Sequence, residues 1–216
     1  MHLKILPLGA PIVWGQDSSD GNGFRKHLLQ TLEANGNPVS YVGTVFHGNM
    51  IHNACEAFPG HTIQEVANLG LQNHVYDYLP NVVLVHVGTN DCWANESART
   101  MASRFAWMLS SIKSRDPGAL VLASNLIQNL NTAEEKCIEA FNAQLPGVVS
   151  KAVKGGQKVA LVDLHSAILK GDIHTSDGTH PTDAGYALMA QVWYKALVNH
   201  AGMISAPNAG GKAAPI

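Results

Sequence analysis

Five apolar runs of strand length punctuate the chain, at Lys4–Leu8, Tyr41–Val45, Asn81–Val87, Leu120–Ser124 and Lys158–Val162. Between them the hydrophobic period changes to that of a helix. Over Ser97–Ser114 the residues Met101, Phe105, Met108, Leu109 and Ile112 fall on one helical face, and Asp116-Pro117-Gly118 stops the pattern. Thr132-Ala133-Glu134-Glu135 has the capping-box spacing and opens a second helix through Ile138 and Phe141 towards Val153. Pro146 is placed to kink or split that helix, and Gly155-Gly156 to close it. A last helix starts near Thr182-Asp183 and buries Tyr186, Met189, Trp193 and Leu197 by the same spacing.

Strands alternating with helices predict a parallel sheet covered on both faces, a three-layer α/β/α domain. Five strands with a first crossover of moderate length suit a flavodoxin-like five-stranded parallel sheet of order 2-1-3-4-5, which binds ligands beyond the carboxyl ends of its strands. A length of 216 residues with 46% hydrophobic residues fits one such domain. We place it over residues 1–200, followed by a loose Ala-, Gly- and Pro-rich tail at 201–216.

Composition removes several function classes. The net charge is -2 and there is no basic stripe or charge block, which argues against nucleic acid or an anionic membrane as partner. The longest apolar runs, such as Val82-Val83-Leu84-Val85, are too short to span a bilayer. Three cysteines (Cys55, Cys92, Cys137) without C-x-x-C spacing suggest reduced thiols, and the first strand follows Met1-His2 with no leader, so a cytoplasmic protein is expected. The 11 histidines include two groups, His47, His52, His61 and His165, His174, His180, but no H-E-x-x-H spacing, so no metal and no cofactor is expected. His86, in the middle of the third strand, reads as a buried, hydrogen-bonded residue.

Three short motifs sit where the crevice of such a sheet belongs. Leu8-Gly9-Ala10-Pro11-Ile12-Val13-Trp14-Gly15 follows the first strand, Val87-Gly88-Thr89-Asn90-Asp91 ends the third, and Asp177-Gly178-Thr179-His180-Pro181 precedes the last helix. In order and spacing they resemble the SGNH/GDSL hydrolase superfamily, and most a fungal branch of it. The likeness runs from about Lys4 to Leu197 and includes Trp14-Gly15-Gln16-Asp17-Ser18-Ser19-Asp20-Gly21-Asn22-Gly23 and Ala184-Gly185-Tyr186-Ala187-Leu188-Met189-Ala190.

The resemblance implies a serine in a Gly-Asp-Ser block, an oxyanion glycine matching Gly60, an asparagine matching Asn90, and an Asp–His pair matching Asp177 and His180. The serine is the departure: Ala10-Pro11 stands where the family has Asp-Ser. Proline has neither the hydroxyl that attacks an acyl carbon nor the backbone N–H that the resemblance assigns to the oxyanion hole. Ser18, Ser19, Cys55 and Cys92 are weaker substitutes, more readily explained as loop or packing residues.

What the resemblance leaves is an acid–base pair, His180 with Asp177 as its orienter, and part of an oxyanion site in Gly60 and Asn90. That set suits isomerisation, cyclisation or elimination on a small carbonyl-containing metabolite, as in secondary metabolism. Two other uses stay open: water activated by His180 for hydrolysis, and ligand binding without turnover, with Asp177 capping a turn and Asn90 bridging two loops. Ala10, Pro11, Trp14, Phe58, Asp91 and Trp93 are the expected substrate-binding residues, while Trp107 and Trp193 read as packing. The expected partner is a small molecule; nothing in the sequence sets the oligomeric state.

Overall fold

Alternate residues of a strand face opposite sides of its sheet, and this parity divides the core in two. The computed structural model describes residues 1–208 and 210–214. Its strands are β1 (Leu3–Gly9), β2 (Val39–Tyr41), β3 (Val45–Phe46), β4 (Ala54–Ala57), β5 (Val82–His86), β6 (Leu120–Ser124) and β7 (Val159–Val162). Its helices are α1 (Pro11–Trp14), α2 (Phe24–Ala34), α3 (Ile63–Gln72), α4 (Thr89–Trp93), α5 (Ala98–Arg115), α6 (Thr132–Asn142), α7 (Leu145–Lys154) and α8 (Asp183–Asn199). Ile5, Val82, Leu84 and Leu122 pack against α2 and α8 through Phe24, Leu28, Met189 and Trp193. Leu6, Leu8, Val83 and Val85 pack the other way, on α3, α5 and α6 through Val66, Phe105, Met108 and Phe141. The result is the expected α/β/α sandwich.

Parallel pairing runs β2-β1-β5-β6-β7, the predicted 2-1-3-4-5 order. Two further strands extend it to seven. β2 pairs with Leu3–Ile5 of β1, whereas β4 takes over the same edge at Leu8 and Gly9, and β3 adds antiparallel to β4. Pro7, which has no N–H, lies between the two segments. The apolar run Tyr41–Val45 is therefore not one strand, which corrects the sequence expectation. Gly43 sits at φ 151°, and a side chain there would collide with the Cys55 backbone, so the chain turns away from β1 after Val42.

The long helices follow their signals. Ser97 caps α5 by accepting the Thr100 N–H at 3.1 Å, and Thr182 caps α8 by accepting that of Gly185 at 3.1 Å. Pro146 splits the expected long helix into α6 and α7. The cap of α6 is Asn131 rather than Thr132: its Oδ1 accepts the N–H groups of Ala133 and Glu134, and Glu135 turns back to accept the Asn129 N–H at 2.6 Å. The C-terminal segment, expected to be loose, is tied down over its described residues. Asn81 Nδ2 and Lys158 Nζ donate to Ser205, and the Lys212 N–H to the Asp77 carbonyl.

Cys92, in α4, and Cys137, in α6, form a disulfide with their Cα atoms 5.7 Å apart. This corrects the expectation of three reduced thiols; a separation of 45 residues carries no local signature, and the packing of α4 on α6 makes the pair. Cys55 alone remains free and buried, its thiol pushed up by burial. Replacing Cys92 and Cys137 together by serine is expected to cost about 2–4 kcal/mol, because the bridge restricts the unfolded chain. Calorimetry of the variant beside the parent with and without reductant checks this, and a reductant-insensitive parent would contradict it. Among the described residues no helix is long and apolar enough to cross a membrane.

Candidate active site

Strands β1, β4 and β5 end together, and the turns that follow them build one wall of a cavity of about 430 Å³. At the end of β1, Gly9 is required: a Cβ there would overlap the His86 carbonyl oxygen and Val13. Ala10 and Pro11 then open α1, with Pro11 as its first residue, where the absent N–H costs the helix nothing. Gly60, after β4, holds φ 82°, and its N–H has no acceptor among the described residues. Asn90, in α4, donates Nδ2–H to the His61 carbonyl at 2.9 Å, which fixes its amide against the Gly60 turn and leaves a second N–H.

The opposite wall is the loop before α8. Ile173 and Pro181 close it by an isolated antiparallel bridge, and the His174 N–H donates to the His180 carbonyl at 2.9 Å. Asp177 has two tasks. Its Oδ1 accepts the N–H groups of Thr179 and His180 at 2.7 and 3.0 Å, capping the turn, and its Oδ2 lies 2.8 Å from His180 Nδ1. Burial pushes this carboxyl up, but those N–H groups and the His180 ring outweigh it and hold it at about 2. It is thus a carboxylate throughout the range in which an imidazole titrates.

A second carboxylate, absent from the sequence assignment, meets the same ring. Asp17 Oδ2 lies 3.1 Å from His180 Nδ1. Burial and a hydrogen bond with Asp177 push Asp17 up, so of the two acids it is the one that holds a proton more readily. With Nδ1 engaged by carboxylates, the side of the ring left for chemistry is Nε2. The ring is 12% exposed and lines the cavity. Asp17, Asp177 and His180 also offer ligand atoms within 4.8 Å of one another, the one group among the described residues spaced to hold a metal ion.

Ala10, Pro11, Gly60, Asn90, Trp93, Asp177 and His180 all line this cavity. Three expected substrate-binding residues do not. Trp14 stacks on His47, Phe58 is partly buried against the edge of the core, and Asp91 is fully buried. Asp91 Oδ2 accepts the Ile63 N–H at 2.8 Å and its Oδ1 bonds Arg104 at 3.2 Å, so it ties α3 to α4 and α5. Their places next to the motifs suggested a lining role, but tertiary packing turns each away. Conversely, His86, Gln16, Thr89 and Thr179 line the cavity unforeseen, and no serine or cysteine does among the described residues. His86 is buried as expected, its Nδ1 2.8 Å from Ser124 Oγ, which also lies 3.1 Å from the Val85 carbonyl. Burial holds that ring at about 4, hence neutral, with the Asn125 backbone only partly offsetting it.

The loop carrying Gln16 and Asp17 is held by a buried guanidinium. Arg25 donates Nε–H to the Val13 carbonyl at 3.1 Å and Nη2–H to those of Trp14 and His47, both at 2.9 Å, while Nη1 bonds the Asn53 carbonyl. Among the described residues it has no carboxylate partner, and it joins residues 13–21 to 47–53. Sequence alone offered no sign of it, since one arginine in a helix reads as a surface residue.

A family model described as "GDSL-like Lipase/Acylhydrolase family" matches residues 12–188. The chain belongs to that family. The match starts one residue after Pro11. Structures of GDSL-type and related esterases share the fold. A family 3 carbohydrate esterase of Clostridium thermocellum superposes with a TM-score of 0.81 at 24% identity, covering 92% of this chain and 96% of that one. A family 3 carbohydrate esterase of Talaromyces cellulolyticus gives 0.80 at 19% identity, covering 94% and 100%. A serine-to-alanine mutant of an acetyl esterase, crystallised with an acetate ion, gives 0.77 at 19%, covering 91% and 97%. In sequence, "Putative endoglucanase X" of Acetivibrio thermocellus is 24% identical over 139 residues, 64% of this chain, which spans 58% of that relative's length.

Proposed function

We propose that this GDSL-family protein binds a small carbonyl compound and works on it with His180 as acid–base, without a serine nucleophile. The observation that supports this reading is a His180 ring held by two carboxylates and lining a cavity that Pro11, the first residue of α1, also lines. A cavity of about 430 Å³ suits a small metabolite. In the step we envisage, His180 Nε2 takes a proton from the carbon next to the carbonyl. The negative charge moves to the carbonyl oxygen, where the Gly60 N–H and the Asn90 amide stabilise it. Return of the proton at another carbon gives isomerisation; loss of a β-substituent gives elimination; attack of the enolate within the molecule gives cyclisation. A small molecule is the proposed partner, and secondary metabolism the context such repurposing suits. The Cys92–Cys137 bridge favours an oxidising compartment over the cytoplasm expected from the cysteine count.

The test is solvent deuterium exchange at the α-carbon, followed by NMR over a panel of small ketones and 1,3-dicarbonyls. Exchange above background is expected with some members, and His180→Ala should lower it by about 10²–10⁴-fold. Exchange unchanged in His180→Ala would overturn the reading. A second reading, water activated by His180 for ester hydrolysis, is favoured by the esterases among the structural relatives. It predicts ¹⁸O from labelled water in the acid product, which isomerisation does not.

A further inference from the structure

Within the five residues of α4, Asn90 and Trp93 line the substrate cavity, and Cys92 between them is bridged to Cys137 of α6. The first part of α4 is held without the bridge. Asn90 Nδ2 donates to the His61 carbonyl, and the Asp91 carboxylate takes the Ile63 N–H and Arg104. The last part depends on it. Trp93 is 55% exposed, and the next side-chain anchor along the chain among the described residues is Glu96, whose Oε1 accepts from Arg104 Nη2 at 2.8 Å. The bridge itself is open on one side. Cys92 is buried, but Cys137 is half-buried, and both border a second cavity of about 370 Å³ that Trp93 also lines. The surroundings suit thiols as well as a disulfide. Met101 Sδ lies 4.0 Å from Cys92 Sγ and 3.8 Å from Cys137 Sγ, and the Glu96 carbonyl lies 3.9 Å from Cys137 Sγ. Two neutral thiols in these places strand no buried charge, and the Cys137 S–H keeps a weak acceptor. Loss of one bridge removes only part of the stability of a domain this size, so the sheet survives it.

We propose that the Cys92–Cys137 bridge is a thiol-reducible clamp on the Trp93 wall of the substrate cavity. The co-reactant is a small monothiol of the glutathione class. Its thiolate attacks Cys137 Sγ, the more accessible sulfur. A new sulfur–sulfur bond forms there as the Cys92–Cys137 bond breaks, and the electron pair leaves on Cys92 Sγ, which takes up a proton. A second thiolate attacks the small-thiol sulfur of that mixed disulfide, so Cys137 leaves as a thiol and the two small thiols leave as their own disulfide. Two protein sulfurs are reduced, two small thiols are oxidised, and the protons of the small thiols end on Cys92 and Cys137. Once released, residues 93–95 move with the indole, while Asn90 and Asp91 keep their partners. The oxidised protein thus has a fixed wall beside Asn90 and the reduced protein a loose one. The clamp stands whatever reaction His180 carries out.

The test is amide hydrogen exchange followed by NMR on the full chain, in reduced and then oxidised glutathione without denaturant. Alkylation and mass spectrometry report the state of Cys92 and Cys137. Reduced glutathione should open the bridge in the folded protein. The amides of Ala94, Asn95 and Glu96, bonded to the carbonyls of Asn90, Cys92 and Asp91, should then exchange at least about tenfold faster, and the Trp93 indole resonance should shift. The Ile63 amide and those of β5 should keep their protection within about threefold, and oxidised glutathione should restore the first state. Cys137→Ser should show the fast exchange with no thiol added and no response to thiol. A bridge that is reduced only in urea would overturn the proposal. So would reduction that leaves residues 94–96 protected, or that releases the whole sheet. Should Cys137→Ser fail to fold, the reduction and reoxidation cycle of the parent decides by the same readings.

Discussion

Arg25→Met is expected to cost about 3–5 kcal/mol of stability, more than a surface arginine could. The side chain is fully buried and donates to carbonyls of Val13, Trp14, Gly21, His47 and Asn53. Methionine fills a similar volume but leaves those carbonyls without donors, and each buried acceptor so stranded costs about 1–3 kcal/mol before relaxation. Arg25→Lys should recover little, since a single ammonium cannot reach carbonyls arranged around a planar fork. For a domain of this size the loss corresponds to a fall in Tm of about 10 °C or more. Urea unfolding followed by tryptophan fluorescence measures it. A loss under about 1 kcal/mol would mean that water replaces the guanidinium and that the loop is not held as described. The loop matters because Asp17 sits on it. A partly folded Arg25 variant should lose Asp17 from His180 before it loses the sheet.

That dependence marks how far the sequence could be read. The sheet order, α5, α8 and the split at Pro146 follow from periodicity and caps, which are local properties. Gly60, Asn90, Asp177 and His180 could be singled out because their spacing resembles a family pattern at strand ends, with Ala10-Pro11 as the departure from it, and all six line one cavity. Arg25, Asp17 and the Cys92–Cys137 bridge were not legible, because each acts through partners far away in sequence: Arg25 reaches Asn53, Asp17 reaches His180 and Cys92 reaches Cys137. Trp14, Phe58 and Asp91 fail for the reverse reason. Adjacency to a motif says nothing about which way a side chain turns, and in a short helix such as α1 or α4 successive residues point to pocket and core in turn.

Pro11→Ser is expected to raise esterase activity far above that of the parent. The single change returns two groups at once. A serine at the first position of α1 regains the hydroxyl, and its N–H is one that a helix start leaves unpaired. That N–H would complete the set begun by Gly60 and Asn90; one such donor is worth about 10²–10³-fold in rate. His180, with Asp177 and Asp17 on Nδ1, would serve as the base for the hydroxyl. p-Nitrophenyl acetate hydrolysis should rise at least about a hundredfold over the parent, and a fluorophosphonate should label the variant stoichiometrically and the parent not at all. The companion change Ala10→Asp restores the acid of the family's block but places a carboxyl where Ala10 is 5% exposed among apolar neighbours. The double variant should therefore be less stable than Pro11→Ser alone, by about 1–3 kcal/mol, unless the carboxyl finds a donor. A folded Pro11→Ser protein that neither turns over ester nor takes the label would mean that His180 and the Gly60–Asn90 pair are not disposed around that atom. Labelling of the parent would reveal an activated serine elsewhere, and the acid–base reading of His180 would lose its ground.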